Sequence, residues 1–117
     1  MGTVKHDITV QQGAKFVLSI AAQNADKSVM NLSGYTGRMQ IRDAAGGAST
    51  YLDATSANGM IAVNGPAGVV TVTVGADVTD PMTWKNGVYD LEVTNGATNV
   101  IRLAEGFASF SAEVTQP

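Results

Sequence analysis

Between Gly87 and Gly106, two alternating apolar/polar runs flank Asn95-Gly96: Gly-Val-Tyr-Asp-Leu-Glu-Val-Thr before it, Thr-Asn-Val-Ile-Arg-Leu-Ala-Glu-Gly after it. This is the strongest short-range signal for a β-hairpin, because Asn and Gly accept the positive φ that a tight turn demands. Tyr89, Leu91 and Val93 share one face of the first run, and Ile101 and Leu103 share one face of the second. All five have odd numbers. A two-residue loop would pair Thr94 with Ala97 and set Asp90 against Ile101, turning one strand's apolar side chains out of the core. Parity therefore predicts a loop of three or five residues unless a bulge intervenes. Tyr89 then faces Leu103, Leu91 faces Ile101, and Asp90 faces Arg102 on the outer side.

Similar runs fill the rest of the chain. His6 to Gln11 places Ile8 and Val10 on one face, and Lys15 to Ala22 does the same with Phe16, Leu18 and Ile20. Arg38 to Asp43 turns Met39 and Ile41 inward, and Ser49 to Leu52 follows after the Ala44–Gly47 turn. Gly59 to Val63 and Gly68 to Val74 read as a hairpin closed by residues 64 to 67, and Phe107 to Val114 as the closing strand. The Asn-Gly pairs at 58, 64, 86 and 95 are each candidate turns. Only Ala76 to Trp84 breaks the pattern. Asp77 could cap one helical turn there before Pro81 ends it, which gives a short crossover between two sheets. The expected fold is an all-β, Ig-like antiparallel β-sandwich of seven to nine short strands, as a single domain over residues 1–117.

The 117 residues suffice for one core without staples, and with no Cys neither a disulfide nor a thiolate metal site is available. A net charge of -3 without a basic stripe argues against nucleic acid, and no apolar run approaches a membrane span. Gln11 and Gln12 occupy the region where a signal peptide would be apolar, so the chain is expected to be made in the cytoplasm. Charged residues are only 15%, which leaves a neutral surface suited to subunit packing.

Catalytic chemistry finds few candidates. The one His, His6, has no Ser or Cys nucleophile placed to use it and reads as a solvated strand-end residue. Asp43, Asp53, Asp77 and Asp80 lie in or near turns and read as turn caps. Asp90, Glu92, Glu105 and Glu113 could supply a carboxylate pair, but Asp90 and Glu92 sit on an outward strand face. Gly46-Gly47 lacks the Lys-Ser/Thr of a phosphate loop, and the Asn31-Leu32-Ser33 sequon has no export signal beside it. Trp84 reads as a core plug under the crossover ahead of a sugar-stacking platform; Tyr35, Tyr51 and Phe107 read as core or rim. No catalytic, cofactor-binding or metal residue is expected, and no cofactor.

Several blocks together resemble a known family. Gln12-Gly13-Ala14-Lys15-Phe16, then Leu32-Ser33-Gly34-Tyr35-Thr36-Gly37-Arg38-Met39-Gln40-Ile41-Arg42, resemble the opening and second block of the long-tail-fibre-associated (LtfC-like) β-sandwich family of tailed bacteriophages. Gly87 to Val93, Arg102 to Gly106 and Glu113-Val114-Thr115 resemble its C-terminal signature, in the same order. The crossover departs from the family's charged, Leu-rich form. The resemblance implies a structural protein of the virion, at the neck or collar, the baseplate or the fibre attachment region, that acts by packing against other virion proteins. It implies a homo-oligomeric ring in the particle and no catalytic residues. Residues 1–7 and 112–117 would be arms that order on assembly. The alternative is a carbohydrate- or receptor-binding sandwich, an adhesin or fibre domain with Trp84 or Tyr51 exposed at one loop end.

Overall fold

The computed structural model describes residues 3–96 and 99–114. The strands are β1 (Val4–Lys5), β2 (Ile8–Gln11), β3 (Phe16–Ala21), β4 (Thr36–Arg42), β5 (Thr50–Thr55), β6 (Ile61–Asn64), β7 (Val69–Val74), β8 (Asn86–Asn95) and β9 (Asn99–Ser111). One helical turn, α1 (Ala76–Thr79), lies between β7 and β8. A six-stranded sheet in the order β1-β9-β8-β4-β5, with β2 also on β9, faces a three-stranded sheet ordered β3-β7-β6. All neighbours are antiparallel except β1 and β2, which run parallel to β9. A β9-β8-β4 sheet extended by β5 and opposed by β3-β7-β6 is the arrangement of a variable-type Ig sandwich.

The period-two pattern places the core. Leu18 and Ile20, Met39 and Ile41, Val70, Val72 and Val74, and Leu91 and Val93 all point between the sheets and are buried. α1 crosses from one sheet to the other, as expected. Its N-cap is Gly75, with Asp77 inside the first turn, so Asp77 does not cap it. The buried Thr79 hydroxyl instead ties the turn down, donating to Ala14 O at 2.9 Å. Of the Asn-Gly pairs, those at 58 and 95 have glycine in the left-handed region; Asn86-Gly87 simply opens β8.

The central hairpin has an odd loop: Asn95 pairs with Asn99, leaving three residues between, of which 97 and 98 lie outside the described residues. Val93 meets Ile101, odd on odd. A bulge then intervenes, because Leu91 pairs with Ala104 while Glu92 pairs with Arg102. Leu103 is the extra residue. The expected partners Tyr89–Leu103, Leu91–Ile101 and Asp90–Arg102 are thus corrected to Tyr89–Gly106, Leu91–Ala104 and Asp90–Glu105. Leu103 and Ala104, consecutive in sequence, are both fully buried, as a bulge permits.

The N-terminal arm is also corrected. Val4 and Lys5 pair with Ala104 and Glu105, and His6 donates its N–H to Glu105 O at 2.9 Å, so the chain is bound to the sheet from Val4 onward. At the other end Glu113 N–H donates to Gln12 Oε1 at 2.9 Å. Residues 1, 2 and 115–117 lie outside the described residues.

Candidate functional site

The six-stranded sheet turns one face to the core and the other outward. On the outer face Val88 and Phe107 are directly opposed on β8 and β9. Phe107 is 69% exposed, whereas the expectation had placed it in the core or at its rim. The bulge explains this, since beyond Leu103 the even-numbered residues of β9 face inward and Phe107 must face out. The loop 44–46 rises beside this pair, giving a concavity of about 640 Å³ walled by Gln40, Arg42, Asp90 and Arg102.

Charge is arranged around the apolar pair. Asp90 and Glu105 are cross-strand partners, and two like charges directly opposed repel. Arg102 relieves this, with Nη1 3.1 Å from Glu105 Oε1 and Nε 3.7 Å from Asp90 Oδ2. The expected Asp90–Arg102 contact is therefore made on the diagonal. Lys5 reaches Glu105 from β1. The Lys5 hydrogen bond, with Arg102 assisting, holds the Glu105 carboxyl below the usual carboxylate range. Further along, Arg38 Nη2 lies 3.1 Å from Asp53 Oδ2, and that hydrogen bond lowers the Asp53 pKa. Arg42 is fixed by Gln40 Oε1 at 3.0 Å and Gly47 O at 2.9 Å. Exposed pairs of this kind stabilise weakly and serve mainly to fix orientation.

Beneath this face, Tyr89 anchors the N-terminal strands. It faces inward from β8 and is buried. Its hydroxyl donates to His6 O, across the sheet. The path passes over Gly106, which has no side chain to block it. Burial, with the Asp7 charge added, pushes the Tyr89 phenol up to about 12. His6 itself is exposed, and its structural work is done by its backbone.

The remaining candidates are scattered. Asp43 Oδ1 accepts from Ala44 N–H at 3.0 Å, a turn cap as expected. Asp80 offers its carbonyl to Gln12 Nε2 at 2.9 Å. Asn31 Oδ1 accepts from Ser33 N–H at 2.9 Å, a local turn. Trp84 is buried, stacked on Tyr51 at 5.1 Å and 6° and tilted against Phe110 at 5.2 Å. Among the described residues no group of three or more His, Cys, Asp or Glu could hold a metal. Sequence reasoning missed the Phe107–Val88 patch; consecutive apolar Leu103-Ala104 in an alternating run was the signal for the bulge that creates it.

No protein-family profile and no curated protein matches the chain. Among solved structures it is similar to a chicken TCR, with 10% identity and a TM-score of 0.56. The match covers 98% of this chain, which spans 58% of that one. At this identity the likeness establishes the Ig-like sandwich fold alone.

Proposed function

We propose that the chain is a structural subunit of a tailed-phage virion, acting by packing and without catalysis, at the neck or collar, the baseplate or the fibre attachment region. The observation that carries the packing part is the outer face of the six-stranded sheet. An exposed aromatic beside Val88, surrounded by fixed charges, has the apolar centre and polar rim of a protein–protein interface. The virion part rests on the sequence blocks that resemble the long-tail-fibre-associated family. Assembly would take place in the host cytoplasm, with neighbouring virion proteins or further copies of the chain as partners. The sugar- or receptor-binding alternative asked for Trp84 or Tyr51 at an exposed loop end. Their stacking inside the domain speaks against that form of it. Mass spectrometry of purified particles tests the proposal. The chain is expected at a fixed copy number that survives stringent washing, and its absence from particles would refute the virion reading. Phe107→Ser should then weaken incorporation while leaving the isolated fold intact.

A further inference from the structure

Among the described residues, three of the four sheet edges carry a device that discourages pairing with another strand. The β1–β2 edge is broken between Lys5 and Ile8 and carries Lys5 and Asp7. β5 bears Asp53, and its pairing with β4 is irregular at Ile41/Arg42. β6 has only four residues. β3 has no such device: Phe16–Ala21 is six residues long, in unbroken register with β7, and contains no charge, Pro or Gly.

The direction of its free groups follows from one hydrogen bond. Ala22 donates its N–H to Gly68 O at 2.7 Å. Alternation along an antiparallel strand then turns the backbone groups of Phe16, Leu18 and Ile20 toward β7, and those of Val17, Ser19 and Ala21 toward the open side. The side chains of these three are exposed, Val17 at 53%. Ser19 Oγ lies 3.1 Å from Thr71 Oγ1, and Thr73 continues the same uncharged face.

We propose that this edge pairs with β3 of a second copy, antiparallel across a two-fold axis at Ser19, joining two three-stranded sheets into one. Odd residues must meet odd for hydrogen bonds to form, and the register centred on Ser19 is the one that uses all three. It makes about six inter-chain hydrogen bonds, two for each bonded pair. Val17 then covers the partner's Ala21, large on small, and Ser19 meets its own copy. Lys15 falls opposite the partner's Gln23, so no like charges meet. A second copy is favoured over a foreign strand because the edge is complementary to itself and offers no charge to select another sequence. The inference does not depend on the virion reading.

The chain lacks Cys, so single cysteines report the geometry cleanly. Directly bonded partners have Cα atoms about 5.5 Å apart, within disulfide range. Two copies of Val17, displaced by four residues, would stand roughly 13 Å apart. Under mild oxidation Ser19→Cys should give a disulfide-linked dimer of twice 12.1 kDa, and Val17→Cys at least tenfold less of it. In sedimentation the unaltered chain should associate with rising concentration. Ser19→Lys should abolish this, and an equimolar mixture with Ser19→Glu should restore it. Trp84 emission verifies that each variant is folded. Three results overturn the proposal: a monomer up to millimolar concentration, which would leave a strand of another protein as the occupant; Val17→Cys linking as fast as Ser19→Cys; or Ser19→Lys associating like the unaltered chain.

Discussion

Gly106→Ala tests how the N-terminal strands are held to the sheet. A Cβ at position 106 would lie 2.4 Å from His6 O, 2.8 Å from His6 C and 2.9 Å from Asp7 Oδ1. The nearest obstacle is backbone, so no rotamer change relieves it, and the chain between β1 and β2 must lift away from β9. Three hydrogen bonds lie under that movement: His6 N–H to Glu105 O, Tyr89 hydroxyl to His6 O, and Phe107 N–H to Asp7 Oδ1. At about 1 kcal/mol net each, their loss costs up to about 3 kcal/mol. Restricting the unfolded chain by the added methyl returns about 0.4–1 kcal/mol. The expected net destabilisation is therefore about 2 kcal/mol, near the middle of the range for overpacking. Urea unfolding followed by Trp84, the single indole, should show a lower midpoint at unchanged slope. A change below about 0.5 kcal/mol, the scale of an ordinary surface substitution, would refute the reasoning.

A double-mutant cycle then isolates the shared acceptor. Tyr89→Phe alone removes one hydrogen bond, about 1 kcal/mol. In the Gly106→Ala background His6 O has already moved, so the same substitution should cost close to nothing. A coupling of about 0.5 kcal/mol or more is expected for two residues acting on one atom. Strictly additive costs would show that Gly106 and Tyr89 do not serve the same anchor.

Two further outcomes follow from the same geometry. The Tyr89 phenol, raised from an ordinary value of 10 to about 12, favours the folded state while both states are protonated. That contribution is complete below pH 10 and is lost as pH rises through about 12; ultraviolet absorbance should show one late-ionising tyrosine that is missing in Tyr89→Phe. Trp84, buried between Tyr51 and Phe110, should emit at short wavelength and resist iodide quenching, and Trp84→Ala should cost about 3–5 kcal/mol in urea unfolding.

Most of the sandwich was legible because period-two alternation is local information. Met39 and Ile41, Val70 to Val74, and Tyr89 to Val93 each declare their buried face from sequence alone, and even the odd loop at Asn95 follows from parity. What parity cannot carry past is a single inserted residue. Asp90 and Arg102 could be placed on the outer face together, but their register was displaced by Leu103. The parallel attachment of β1 and β2 was illegible for a different reason. It depends on a contact between residues about a hundred positions apart, Val4 with Ala104 and Ile8 with Ala108, which no local pattern encodes. Trp84 was legible as core through its size, whereas Phe107, of the same class, was not, because its face was set by the bulge.

That bulge decides the character of both faces at once. Without it the odd residues of β9 would continue inward beyond Leu103, placing Glu105 and Phe107 toward the core and Gly106 outside. Glu105 could then no longer meet Lys5 and Arg102 on the outer face, and its buried charge would be costly. Gly106 would not lie beneath the Tyr89–His6 hydrogen bond, where only a residue without a side chain fits. Shifting the alternation by one residue moves Phe107 to the outer surface beside Val88 and brings Gly106 under the β1–β2 junction. The exposed aromatic proposed for docking and the anchor of the N-terminal strands are therefore two consequences of one local irregularity. Deleting Leu103 should therefore regularise the ladder and leave both in place, because Leu91–Ala104, Tyr89–Gly106 and Val88–Phe107 would keep their partners and faces. Its cost in urea unfolding should be that of one lost buried leucine, and release of the N-terminal strands in that variant would refute this account.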